Sequence, residues 1–182
     1  MSSASSALGS REPSVPKYSN HPGLFDGVQP GAWQAPQVGD LAGGYLLCEV
    51  IGEGTLATIF RAQVPQTGGF VALKVLRPEY ADQPDAVRRF AREAQVTHRC
   101  RHPNLADIHE VVISAEYAPF LVMELLHGMD LAAFLARRGP LPVALAIDIA
   151  CQICGALQAL HARSILHRDL KPANVFLIDP ED

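Results

Sequence analysis

An α+β fold is predicted by three observations. Between Tyr45 and Leu126 the chain is a series of short apolar runs punctuated by turn residues. One stretch inside that region, after Asp82, has helical spacing instead, and beyond His127-Gly128 the pattern is helical almost throughout. Sheet first and helices after separates this class from an alternating α/β arrangement.

Each element follows from its own signals. Tyr45 to Ile51 (YLLCEVI) reads as a strand, and Thr58 to Val64 as its neighbour. Pro65-Gln66-Thr67-Gly68-Gly69 then supplies turn residues before a third strand, Phe70 to Leu76. Asp82-Gln83-Pro84-Asp85 offers an N-cap, an early proline and an acidic first turn, and Val87, Phe90, Ala94 and Thr97 recur at helical spacing behind it. His102-Pro103-Asn104 ends that helix. DIHEVVIS and PFLVMEL are two further strands joined by a short turn, which makes a small lobe of five antiparallel strands and one helix. Asp130 to Arg138 is the next helix, Gly139-Pro140 breaks it, and a long apolar helix from Val143 reaches Ala162. A last strand is expected at Val175 to Ile178, without a returning partner. Residues 1–40, rich in Ser, Pro and Gly with isolated aromatics Tyr18, Phe25 and Trp33, read as a disordered leader. The organisation is therefore leader 1–40, small lobe and hinge 41–126, and the start of a helical lobe 127–182.

Composition narrows the function classes. The chain has 182 residues, is 48% hydrophobic and carries a formal net charge of -4, so no basic field directs it to nucleic acid or an anionic membrane. The start, MSSASSALGSREPS, has neither a basic n-region nor an apolar h-region, and four cysteines without a disulfide pattern fit a reduced, cytoplasmic setting. Cys151-Gln152-Ile153-Cys154 matches CxxC, but no second pair exists to complete a zinc site, so core packing is expected. The helix from Val143 to Leu160 is long enough to weigh as a membrane span. Asp148, Gln152, Gly155 and Gln158 give it a polar stripe, which favours a helix buried in a large domain over a membrane segment.

Three elements carry chemistry. Ile51-Gly52-Glu53-Gly54-Thr55-Leu56-Ala57 places glycines between two strands, where backbone can approach a phosphate, although glycines in a hairpin turn have the same appearance. Val71-Ala72-Leu73-Lys74 puts an ammonium on an apolar strand, where it calls for a counter-charge; Glu93, next to Ala94 on the helix, is the candidate. His167-Arg168-Asp169-Leu170-Lys171-Pro172-Ala173-Asn174 supplies a carboxylate to receive a hydroxyl hydrogen bond, a cation and an amide oxygen within one loop.

Together and in this order, these elements resemble the signature set of the bacterial eukaryotic-like Ser/Thr protein kinases, over about Tyr45 to Asp182. The resemblance implies a protein-kinase-like fold, ATP and Mg²⁺, and a protein substrate with Ser or Thr hydroxyls. It places Ile51, Gly52, Glu53 and Gly54 at the nucleotide, with the two glycines over its phosphates. Lys74 would contact the α- and β-phosphates and Glu93 would hold Lys74. Ile59 and Ala72 would enclose the purine, Met123 would guard the back of its pocket, Glu124 to Leu126 would read adenine through the backbone, and Asp130 would meet the ribose. Asp169 would position and deprotonate the substrate hydroxyl, Lys171 would steady the γ-phosphate, and Asn174 would bind magnesium.

Two departures follow. Ala57 stands where the pattern has its third glycine and is expected to stiffen the loop and weaken nucleotide binding. The family's second metal-binding aspartate comes well beyond the loop asparagine; Asp179 and Asp182, in a turn-like sequence, are poor substitutes. The expectation is an N-terminal kinase fragment that is inactive alone, with apolar helix surface exposed. The alternative is a truncated nucleotide- or partner-binding module.

Overall fold

A computed structural model describes residues 33–80, 83, 85–87, 90, 100–112 and 117–178. Glu93, Asp179 and Asp182, and with them the expectations placed on them, lie outside the described residues.

Among the described residues the strands are β1 (Leu41–Ala42), β2 (Tyr45–Glu53), β3 (Ala57–Gln63), β4 (Phe70–Leu76), β5 (Ile108–Val112), β6 (Phe120–Met123), β7 (Gly128–Asp130) and β8 (Phe176–Ile178). The helices are α1 (Leu131–Arg138) and α2 (Val143–His161), with helical residues also at 85–87 and 90. The antiparallel sheet has six strands rather than the five expected, in the order β1-β2-β3-β4-β6-β5. The added strand, β1, is two residues long, too short for any alternation to reveal it.

The sheet has apolar residues on both faces, because β4 buries consecutive residues, Ala72 with Leu73 and Val75 with Leu76. One face gathers Leu47, Phe60, Ala62, Leu73, Val75, Phe120 and Val122 into a cluster. The other gathers Ala57, Leu76, Phe90, Ile108, Ala118 and Leu121. The sheet is curled so that its two ends meet. A methyl on Gly43, in the β1–β2 turn, would come within 2.6 Å of the Phe120 ring, and the Tyr45 hydroxyl donates to Glu110 of β5 at 3.0 Å. Burial, and then the Glu110 carboxylate beside it, push the Tyr45 phenol up to about 12.

Residues 33–40, expected in the disordered leader, are ordered. Gln34 forms a parallel bridge with Tyr117, Trp33 packs against the second cluster, and the Gly39 N–H donates to the Leu47 carbonyl at 2.8 Å. Apolar contact and sheet-edge hydrogen bonds offset the ordering entropy that the composition alone does not.

After the sheet, Asp130 caps α1, its Oδ1 accepting from the Ala133 N–H at 2.8 Å. Gly139, with φ 78°, ends α1, and its N–H donates to the Leu135 carbonyl at 2.9 Å. β8, for which no returning strand is expected, pairs with the earlier β7 in the register Gly128↔Ile178, Met129↔Leu177, Asp130↔Phe176. The close pairing requires a glycine: Gly128 has φ 140°, and a methyl there would overlap the Leu177 carbonyl oxygen.

The helix expected to be buried is mostly not. α2 buries Ile149, Ala156 and Leu160, while Val143 is 75% and Ile147 58% exposed. Cys151 and Cys154 are also exposed, which overturns their core packing. α2 is long and apolar enough to cross a membrane, but it docks on the small lobe: Asn104 donates to Gln152 Oε1 at 2.8 Å, and Gly155 faces the His102 ring.

Candidate active site

Strand register assembles the first half of the site. Directly opposed residues of antiparallel strands share a face. Gly52 lies opposite Ile59, Ile59 opposite Lys74, Lys74 opposite Leu121, and Ala72 opposite Met123. Gly52, Ile59, Ala72, Lys74 and Met123 therefore stand on one face of the sheet. Lys74 is half-buried there and is not without a partner.

The glycine segment differs from its reading as a loop. Gly52 and Glu53 continue β2, leaving Gly54 to Leu56 as the turn, closed by the Gly54 N–H donating to the Ala57 carbonyl at 2.8 Å. Neither Gly52 nor Gly54 has positive φ, and a methyl on either would meet nothing closer than 3.4 Å. The turn itself thus makes no demand for glycine at these positions. Bare backbone here is of use to something that approaches from outside. Ala57 is buried in the second cluster, so its methyl is committed to core packing opposite Leu76.

Three expected residues stand differently from the rest of this set. Glu53 is opposite Thr58, on the other face of the sheet, with Arg77 at 3.9 Å. Ile51 falls at a register shift between Val50 and Gly52 and is 44% exposed. The Glu124 side chain accepts from the Asp107 N–H at 2.6 Å, and its own N–H donates to the Asp107 carbonyl at 3.0 Å. Glu124 is therefore anchored behind the hinge, through Asp107, a residue that no sequence signal singles out. Leu126 is half-buried, and Asp130 is committed through Oδ1 to capping α1.

The second half of the site is the loop before β8. Lys171 Nζ sits 3.0 and 2.9 Å from the two carboxylate oxygens of Asp169. Asn174 Nδ2 donates to the Asp169 carbonyl and to its Oδ2, both at 2.8 Å, and the Asp169 N–H donates to His167 Nδ1 at 3.3 Å. Arg168 has φ 63°, a left-handed conformation that a non-glycine residue holds at a cost of about 1–3 kcal/mol. The Lys171 hydrogen bond, opposed by slight desolvation and reinforced by Asn174, holds the Asp169 carboxyl below the ordinary carboxylate range. Asp169 is thus an ionised, oriented acceptor rather than a strong base.

The Asn174 amide is oriented by its two donated bonds, which leaves its oxygen as the hard donor that a magnesium ion takes. No group of three or more His, Cys, Asp or Glu able to hold a metal occurs among the described residues. Such an ion would complete its shell mainly from phosphate oxygens and water, as magnesium commonly does. The β7–β8 ribbon connects loop and hinge: the Leu131 N–H donates to the Val175 carbonyl at 2.7 Å, and Asp130 lies opposite Phe176.

Comparison with known proteins identifies the family. The protein kinase domain model matches residues 45–182. The serine/threonine-protein kinase PkaA of Streptomyces coelicolor is 43% identical over 145 residues, covering 73% of this chain and 26% of the relative. Pkn1 of Myxococcus xanthus is 36% identical, covering 80% of this chain and 20% of the relative, so the chain spans about a quarter or less of these two proteins. The crystal structure of the Mycobacterium tuberculosis PknI kinase domain superposes with a TM-score of 0.69 at 33% identity, over 80% of this chain and 60% of that one. With a family model running from the first long strand through the Asp169 loop, this chain belongs to the Ser/Thr protein kinase family.

Proposed function

We propose that this chain supplies the nucleotide-binding face and the catalytic loop of an ATP-dependent kinase acting on protein Ser or Thr hydroxyls. The observation that carries the reading is the shared sheet face of Gly52, Ile59, Ala72, Lys74 and Met123. It pairs apolar walls for a purine with bare backbone and an ammonium for phosphates, the combination a nucleotide site needs. Glu124 to Leu126 follow Met123 directly and contribute backbone at the purine edge.

In the transfer step the bond from the γ-phosphorus to its β-bridging oxygen breaks, a bond to the substrate hydroxyl oxygen forms, and the hydroxyl proton passes to Asp169. Asp169 aims the hydroxyl, and Lys171 offsets charge on the phosphoryl oxygens. Bound at Asn174, magnesium would screen phosphate charge. The low basicity of Asp169 suits a reaction in which positioning and electrostatics outweigh proton abstraction.

The test is calorimetric titration with ADP and Mg²⁺, together with phosphoryl transfer to a Ser/Thr peptide by the chain and by any longer polypeptide that contains it. Lys74→Met should weaken nucleotide binding, and Asp169→Asn should abolish transfer while sparing binding. A second reading, a partner-docking module, is favoured by the exposed Val143 and Ile147 of α2. Absence of nucleotide binding in every form, with the fold intact, sinks the kinase reading and leaves the second.

A further inference from the structure

Trp33, the chain's single tryptophan, lies in a segment that neither the motifs nor the proposed chemistry use. It is half-buried against the cluster of Ala57, Leu76, Phe90, Ile108, Ala118 and Leu121, on which Leu56 and Met123 also pack. The cluster reaches three parts of the candidate site. Leu56 and Ala57 bound the glycine turn, Leu121 lies opposite Lys74, and Met123 opens the hinge.

We infer that residues 33–40 form a strap that holds the nucleotide face in its binding shape, with Trp33 as its positioning residue. The inference rests on the nucleotide-binding reading above. The strap is fastened at both ends. At one, Gln34 bridges to Tyr117, itself buried in the other cluster; at the other, Gly39 donates to Leu47 at 2.8 Å and Leu47 donates back to Asp40 at 2.9 Å. Between them, Ala35 to Val38 roof a groove of about 530 Å³ over Val50, Thr58, Phe60 and Val75. The middle is largely exposed, with Ala35, Gln37 and Val38 all facing solvent, so the hold of the strap is concentrated at its ends. Trp33 is the large apolar group at one of them, and its removal leaves the cluster beneath Leu56 and Met123 without that wall. Those two residues are then free to shift, and Lys74 and the glycine turn with them.

The experiment measures ADP binding calorimetrically in the full chain for wild type, Trp33→Ala, Trp33→Phe, and Val112→Ala, the last a cavity variant on the opposite cluster chosen to match the loss in thermal stability. Trp33→Ala should weaken ADP binding by at least about fivefold, a typical coupling between linked sites. Trp33→Phe should recover most of that loss, Val112→Ala should show none, and saturating ADP should shift the Trp33 emission of the wild type. If wild type binds ADP but Trp33→Ala binds within about twofold of it, the strap inference falls and the kinase reading stands. Should Trp33→Ala not fold, wild-type emission that ADP leaves unmoved overturns the inference. Wild type that binds no ADP overturns the inference, and the kinase reading falls with it if every longer polypeptide containing the chain also binds none.

Discussion

Replacing Gly128 by alanine tests how the segment after Met123 is joined to the Asp169 loop. Gly128 sits at φ 140°, where a residue with a side chain is held at a cost of about 1–3 kcal/mol. The added methyl would also overlap the Leu177 carbonyl, so β7 and β8 cannot keep their register. β8 is poorly buried, with Phe176 41% and Ile178 50% exposed, so separation is an easier release than the full clash. Separation forfeits ribbon hydrogen bonds of about 0.5–1.5 kcal/mol each. With two ribbon hydrogen bonds lost, the sum is about 2–6 kcal/mol, divided between global stability and local opening. Gly139→Ala is the control, since at φ 78° and ψ -160° it carries similar backbone strain, about 1–3 kcal/mol, while its methyl meets open space and opens no ribbon. Urea unfolding reads the global part, and hydrogen exchange at the Leu131 amide, which donates to Val175, reads the local part. The reasoning is refuted if Gly128→Ala keeps its unfolding free energy to within about 0.5 kcal/mol and Leu131 keeps its protection.

The Asp169 carboxyl should titrate below the ordinary carboxylate range by NMR, and Lys171→Met should raise it. Because its folded value is depressed, the ordering it gives the loop is present above the unfolded value and is lost as pH falls through the folded one. Tyr45 runs the other way: with its phenol raised to about 12, its contribution is complete below about 10 and fades as pH rises between them, and Glu110→Gln should lower the value in an ultraviolet titration. Leu160→Ala removes a side chain with no exposed surface and should cost about 2–5 kcal/mol in chemical unfolding; a negligible loss would mean that α2 is not docked. The chain should bind an apolar dye through α2, and Ile147→Glu should reduce that signal without lowering stability.

The strands and the Asp169 loop were legible because their signals are local. β4 emerged with the bounds its sequence announces, Phe70–Leu76, and the Asp169, Lys171 and Asn174 contacts span five residues or fewer. Register was not legible. Nothing in the chain states that Ile59 opposes Lys74 or that Ala72 opposes Met123, since pairing is settled by turn geometry and by the packing of both faces at once. Burial of α2 was misread for a related reason: periodicity reports that a surface is apolar, not that a neighbour covers it. Trp33 and Gly128 were missed because each acts through a residue distant in sequence. The only local hint was a glycine just after the hinge and a lone aromatic in a Pro- and Gly-rich stretch.

The strand order has a consequence for the timing of synthesis. β6 lies between β4 and β5, although both precede it in the chain. As the polypeptide emerges from the ribosome, β4 keeps an unpaired edge, and β5 has no sheet to join until Phe120–Met123 has appeared. An open apolar edge invites association with other chains. The small lobe can close only when β6 is inserted, so substitutions that slow β6, such as Leu121→Gly, should lower soluble yield more than their effect on the finished fold accounts for.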